Sequence, residues 1–269
     1  MNIDFSVIIP TCNNIKLFKT ALNPVLSQEK ANFELIIVDD STNCGIKNYV
    51  KTIKDKRIRF YRNTPPKGAV KNWNYGLSLA SGKYIILLHH DEEITDKKFF
   101  LKRCLDLFCS TQSNCLIFSS VVHADGNYRI QRIPFKIKKI ILSHFPVLLY
   151  TTNIIGPTSC LIFRKNCMKL FNDKLKWLVD TEWYYRLLKG EKIRLCPDIN
   201  ILSHHGHKDQ ITGKMDIEDT EKRDRQIILK LYEYKPKIYI AFLLRDILKA
   251  LKNTFDFRNT FIWKSYDNR

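Results

Sequence analysis

A chain of 269 residues can bury a sizeable core, and 45% apolar with 12% aromatic residues is the composition of a folded globular protein, not a disordered one. A formal net charge of +18 calls for an anionic partner: nucleic acid, an acidic membrane surface or a phosphate-bearing substrate. Eight cysteines lack CxxC spacing, no cleavable signal precedes the first apolar run, and no uncharged stretch reaches the ~20 residues of a membrane span, so a cytoplasmic protein with reduced thiols is expected.

Over the first ninety residues, continuous apolar runs alternate with helical periodicity. FSVIIP (Phe5 to Pro10), FELIIVDD, RIRFYRN and KYIILLHHDE predict four strands, the unbroken runs being those of strands buried on both faces. Between them Leu17, Ala21, Leu22, Val25 and Leu26 share one helical face, and IKNYVKTI and VKNWNYGLSLAS predict two more helices. The βαβαβαβ order predicts a doubly wound sheet with right-handed crossovers, in which ligands bind beyond the carboxyl ends of the strands. Those ends carry PTCNN, VDDST and HHDEE. Each cluster alone reads equally as turn and cap residues. Three at one sheet edge point to a single crevice.

The second half is less regular. NCLIFSSVVHAD and YRIQRIPF predict two strands joined by a hairpin at Asp125-Gly126, and PTSCLIFRKN a further strand. DTEWYYRLLKGE predicts a helix capped by Asp180 and stopped near Gly190. From about Asp216 the pattern is helical and basic. There Ile240, Leu243, Leu244, Ile247, Leu248 and Leu251 form an apolar stripe, with Arg245, Lys249 and Lys252 on the other face. The stripe predicts closure of the domain's own core, a dimer contact, or a helix lying on an anionic membrane.

Several side chains suggest chemistry. Asp91, directly after a buried strand, is placed to hold a hard divalent cation that neutralises a diphosphate, with His89, His90 and Glu92 beside it. Asp40 could accept a hydrogen bond from a base imide or a ribose hydroxyl, or cap the turn at Ser41-Thr42. Glu182 stands i,i+4 from Arg186 and reads as its ion-pair partner. Five of the seven histidines fall in HH and HHGH. Neither a GxGxxG nor a Walker loop is present, which argues against a dinucleotide cofactor or a P-loop NTPase.

The succession FSVIIPTCNN, LNPVLSQ, FELIIVDDST, RIRFYRN and NWNYGLSLASGKYIILLHHDE resembles a family 2 glycosyltransferase of the GT-A fold, closely over the first hundred residues and more weakly to about Thr212. The resemblance implies an α/β fold with a Rossmann-like mixed, mostly parallel sheet flanked by helices. It implies a catalytic domain over 1–215, comprising a nucleotide-sugar-binding half (1–100) and an acceptor-side half (101–215), with a basic helical C-terminal region over 216–269. Pro10 and Thr11 match positions lining base and ribose, Asp40 the base-recognising aspartate, Asn72 and Asn74 polar positions of the helix before the signature strand, and Gly82 its turn. HHDEE matches the DxD signature, with Asp91 as metal ligand (Mn2+ or Mg2+) and His89 in place of the first carboxylate; His90 adjoins it on the donor side. Asp180 matches the catalytic base, with Val179 replacing the usual preceding glutamate. HHGHKDQIT matches a loop carrying a histidine, a glutamine and a threonine; His207, Gln210 and Thr212 fit that spacing best, with His204 and His205 as alternatives.

The activity so implied is inverting transfer of a sugar from a nucleotide-diphosphate donor, a UDP-sugar, to a hydroxyl of a glycan or lipid-linked acceptor in bacterial surface polysaccharide or lipopolysaccharide synthesis. Peripheral contact with the inner face of the cell membrane is a companion expectation. The competing readings are a nucleotidyltransferase and a basic nucleic-acid-binding module. The latter accounts for the charge, but its basic residues are spread along the chain and it lacks a recognition motif.

Overall fold

The Val, Ile and Leu runs that lack alternation form strands covered on both faces: β1 (Phe5–Thr11), β2 (Phe33–Asp39) and β4 (Tyr84–Leu87) are buried at every residue. The computed structural model of the chain describes residues 3–131, 133–207, 215–254 and 263–265, with 252–254 and 263–265 as backbone alone. Gln210, Thr212 and the Lys252 side chain therefore lie outside the described residues.

With β3 (Ile58–Arg62), these strands pair in parallel in the order β3-β2-β1-β4. Helices α1 (Ile15–Leu26), α2 (Gly45–Lys51) and α3 (Ala69–Leu79) make the connections, as the periodicity predicts. The chain lays β2 and β3 on one side of β1 and then returns to its other side as β4. That reversal opens the crevice where sheets of this kind bind ligands. The turn into β4 requires glycine. The Gly82 N–H donates to Ser6 Oγ at 2.8 Å, and a Cβ at Gly82 would sit 2.5 Å from the Ser6 backbone nitrogen.

Beyond β4 the sheet becomes antiparallel: β8 (Leu161–Arg164), β6 (Cys115–Ala124), β7 (Asn127–Gln131) and β10 (Trp263–Ser265) follow in that order. The result is the mixed sheet flanked by helices that was expected. The β6–β7 hairpin turns at Asp125 (φ 51°) and Gly126 (φ 75°), both left-handed as a tight two-residue turn demands.

After β4 the chain forms β5 (Glu92–Ile94), and ITDKKFF leads from its last residue into α4 (Phe100–Ser110). Two segments depart from the sequence reading. YRIQRIPF is a strand only to Gln131, because Pro134 stands at the N-cap of α5 (Phe135–His144). A twelve-residue strand, β9 (Ile193–His204), was not anticipated, since Pro197 and Asp198 break its apolar run. A register shift opposite Phe118/Ser119 absorbs that interruption, and β9 runs parallel to β6 and antiparallel to β5.

The C-terminal helices α7 (Ile217–Leu231) and α8 (Pro236–Thr254) follow α6 (Val179–Leu188) and β9 in the chain. Helix α8 overturns the core-closure expectation. Its inward residues are Ile238, Ala241 and Phe242, and beside them half-buried Arg245 and exposed Lys249 reach buried Glu221 of α7 at 2.7 Å each. The apolar stripe from Ile240 to Leu251 is instead 40–54% exposed. Glu221 is the reason: a buried carboxylate must be paired, and the cations it draws in fix which face of α8 packs.

Candidate active site

The crevice at the carboxyl ends of β1, β2 and β4 is a cleft of about 740 Å³. Pro10, Thr11, Asp40 and Asn72 line it from the N-terminal half, as do His89, His90, Asp91 and Glu92. His205 and His207 at the end of β9, and Asp180 on α6, complete the set drawn from distant segments.

Asp40 is buried and builds the donor-side wall. Its Oδ1 accepts from Asn63 Nδ2 (2.9 Å) and the Lys67 N–H (2.7 Å), and its Oδ2 from the Gly68 N–H (2.8 Å). These bonds pin the loop entering α3 and leave Oδ2 with capacity for one more donor. Asn72 lines the same wall with its amide engaged: Nδ2 donates to the Val38 carbonyl and Oδ1 accepts from Asn63. Asn74 is outside the cleft. Its side chain clamps the Phe171 backbone in both directions, at 2.9 and 2.7 Å.

At the end of β4 a histidine–carboxylate cluster forms. The His89 ring stacks on Trp73 at 4.6 Å between centroids, and its Nε2 lies 3.2 Å from Thr158 Oγ1. His90 donates to the Pro10 carbonyl, leaving Nε2 buried and without a partner among the described residues. Asp91 Oδ2 lies 3.2 Å from His207 Nε2, while its carbonyl accepts the His204 N–H at 2.8 Å. The end of β9 is thus fastened to Asp91. Of the three histidine alternatives, His207 makes the contact, and His205 lines the cleft beside Ser203. His204 turns to Glu93.

Burial pushes His89 and His90 below the ordinary imidazole value, against the pull of the Asp91 charge. Burial, reinforced by the adjacent Asp91 charge, pushes Glu92 well above the carboxylate range. Burial opposes ionisation of Asp91 as well, but His89, His90 and the His207 hydrogen bond outweigh it and hold Asp91 below its usual value. The two neighbouring carboxyls are thus pushed in opposite directions. One ligand atom each from His89, Asp91 and Glu92 lie within 4.8 Å of one another, a mixed nitrogen–oxygen set that fits a divalent cation.

Asp180 does not cap α6, as the sequence suggested. The helix begins at Val179, its N-cap is Leu178, and Asp180 sits inside the first turn. Its Oδ1 is buried with no partner among the described residues, and burial raises its pKa, with His89 opposing. The carboxylate that holds the approach to α6 is Asp224 of α7, which accepts from the backbone N–H groups of Lys176, Trp177 and Leu178. Glu182 is structural, as expected: it is fully buried and binds Arg186 Nε (2.6 Å) and the Tyr232 hydroxyl (2.7 Å). Trp73, Asp224 and Arg245 carry no sequence signal for their roles here. Trp73 lies in a helical apolar pattern, and the other two sit in charge-rich stretches that read as solvated.

The family model for Glycosyl transferase family 2 matches residues 6–171, well over half of the chain. The chain belongs to glycosyl transferase family 2. Relatives include the GalNAc(5)-diNAcBac-PP-undecaprenol beta-1,3-glucosyltransferase of Campylobacter jejuni, 30% identical over 117 residues, covering 42% of this chain and 38% of that protein. The Escherichia coli UDP-Glc:alpha-D-GlcNAc-diphosphoundecaprenol beta-1,3-glucosyltransferase WfgD is 33% identical over 125 residues, 46% of each chain. This family 2 chain thus aligns with less than half the length of either relative. The crystal structure of S. aureus TarS 1–349 in complex with UDP-GlcNAc matches with a TM-score of 0.71 at 21% identity, covering 90% of this chain and 72% of that one, a likeness of fold.

Proposed function

We propose that this family 2 protein transfers a sugar, with inversion, from a UDP-sugar to a hydroxyl of a lipid-linked glycan acceptor in bacterial surface polysaccharide synthesis. The observation that carries the reading is Asp180. It is a carboxylate with a buried, unpartnered oxygen and a raised pKa, in the same cleft as the Asp91 cluster. The acceptor oxygen attacks the anomeric carbon, the bond from that carbon to the diphosphate breaks, and Asp180 takes the hydroxyl proton. A raised pKa makes Asp180 a stronger base than an exposed aspartate.

Pro10, Thr11 and Asp40 are assigned to the nucleoside, with Asn72 supporting that wall, and His90 and His205 to the sugar-diphosphate. Asp91, His89 and Glu92 would hold a divalent cation, with His207 bonded to Asp91 from the end of β9, and the nitrogen in that donor set suits Mn2+ better than Mg2+. When bound, the cation neutralises charge on the diphosphate. The relatives' names, which specify diphosphoundecaprenol acceptors, support a lipid-linked acceptor. The exposed stripe of α8 supports peripheral contact with the anionic inner face of the membrane. Among the described residues no helix is long and apolar enough to cross it.

Asp180→Asn tests the reading. Removing a general base is expected to lower kcat by about 10²–10⁴-fold while UDP-sugar affinity is retained. Wild-type turnover in that variant would remove Asp180 from the mechanism.

A further inference from the structure

The turn that carries Asp180 is held from outside the segment matched by the family model. Immediately before α6, three successive backbone N–H groups point the same way: Lys176 (2.9 Å), Trp177 (2.6 Å) and Leu178 (2.9 Å) all donate to Asp224 Oδ2. Lys176 also reaches Oδ1 at 3.2 Å. Asp224 is fully buried, and its carboxyl oxygens are met by these amides beside the N-terminal end of α6. Leu178 supplies no side-chain cap, and without Asp224 the three N–H groups that lead into α6 would lose their acceptor inside the protein.

We propose that Asp224 is a positioning residue for catalysis, holding the 176–178 turn so that Asp180 projects into the cleft. This rests on reading Asp180 as the base. Three observations favour positioning over simple stabilisation. First, the captured turn is itself cleft wall: Lys176, Trp177 and Leu178 line it together with Asp180. Second, α7 grips α6 at a second point, where the Tyr232 hydroxyl donates to Glu182 Oε1, so the helix is fixed along its axis as well as at its start. Third, α7 is anchored in turn. Glu221, one turn before Asp224, binds Arg245, whose Nη1 donates to the Thr151 carbonyl at 3.2 Å, and Arg245 also lines the cleft. A displacement of α7 would therefore reach the base while leaving the Asp40 wall in place.

The test compares Asp224→Ala, Asp224→Asn, Asp180→Asn and a control, Ile228→Ala, which removes a fully buried side chain from the same helix. UDP release is measured with UDP-glucose and UDP-GlcNAc as donors, below the melting temperature of each variant. Asp224→Ala is expected to lose about 100-fold in kcat, the loss typical of a small misplacement, with donor KM within about twofold of wild type. Asp224→Asn keeps one acceptor oxygen and is expected to fall between. Ile228→Ala should keep its kcat. The proposal is overturned if Asp180→Asn is inactive while Asp224→Ala has wild-type kcat, or if Ile228→Ala loses kcat to the same extent as Asp224→Ala. Turnover by Asp180→Asn would instead bring down the base assignment, and the positioning role with it. If Asp224→Ala does not fold, Asp224→Asn against Ile228→Ala decides by the same criteria.

Discussion

Asp91 and Glu92 are adjacent in the chain, yet the cleft pushes them in opposite directions, Asp91 below and Glu92 above the ordinary carboxylate range. The difference comes from partners. Glu92 accepts a single backbone N–H, from His89, in a fully enclosed site, whereas Asp91 meets His207 across the cleft. His207 therefore links the end of β9 to the carboxylate assigned to the cation. His207→Ala is expected to weaken Mn2+-dependent UDP-sugar binding by about 10–100-fold, measured by titrating Mn2+ at fixed donor. Unchanged Mn2+ dependence would separate His207 from that site. Asp40, Asp91 and Asp180 were legible because a carboxylate at a strand end or helix start is visible in the sequence. His207 could be narrowed only to three neighbours, since which histidine faces inward depends on the pairing of β9 with β5. Asp224 was not legible at all: its function lies in a contact between segments far apart in the chain.

Among elements, the parallel strands were read well because burial on both faces leaves an unbroken apolar run. β9 was missed because Pro197 and Asp198 occupy its bulge, and of the three uses left open for the α8 stripe, core closure failed because hydrophobicity alone does not reveal the carboxylate on α7. That carboxylate gives the α7–α8 pair a pH signature. Burial acts to raise the Glu221 pKa, but Arg245, Lys249 and Arg225 prevail and bring it down to about 2, from an ordinary value of 4.5. A depressed carboxylate contributes stability above its unfolded value and loses it as pH falls toward its folded one. Glu221 should thus add roughly 3 kcal/mol near neutral pH, lost between about pH 4.5 and 2. Melting temperatures from pH 7 to pH 2 should show a shallower acid decline in Glu221→Gln, from a lower starting point. An identical slope in variant and wild type would mean that the cluster is not coupled to folding.

For the whole molecule, the charge of +18 and the outward face of α8 belong together. Seven large apolar side chains from Tyr239 to Leu251 are exposed, and α5 adds Phe135, Ile137 and Ile140 with exposed Lys136 and Lys139. Both helices pack on the short 3₁₀ turn at Pro146–Tyr150, which leads directly to cleft residues Thr152 and Asn153. Such a surface suits anionic lipid. Co-sedimentation with phosphatidylglycerol vesicles, but not with phosphatidylcholine vesicles, is expected to weaken with added salt and with Leu244→Ser/Ile247→Ser. No binding to the anionic vesicles, or dimerisation that the same substitutions abolish, would assign the stripe to another use.

Trp73 gives the molecule an optical property of its own. Of the four tryptophans, Trp73 and Trp177 line the cleft, and Trp73 lies flat against His89. Events at the end of β4 therefore occur within van der Waals contact of an indole ring, and a paramagnetic cation there would dim its emission. The cleft carries a built-in fluorophore, so occupancy can be followed in the unlabelled protein.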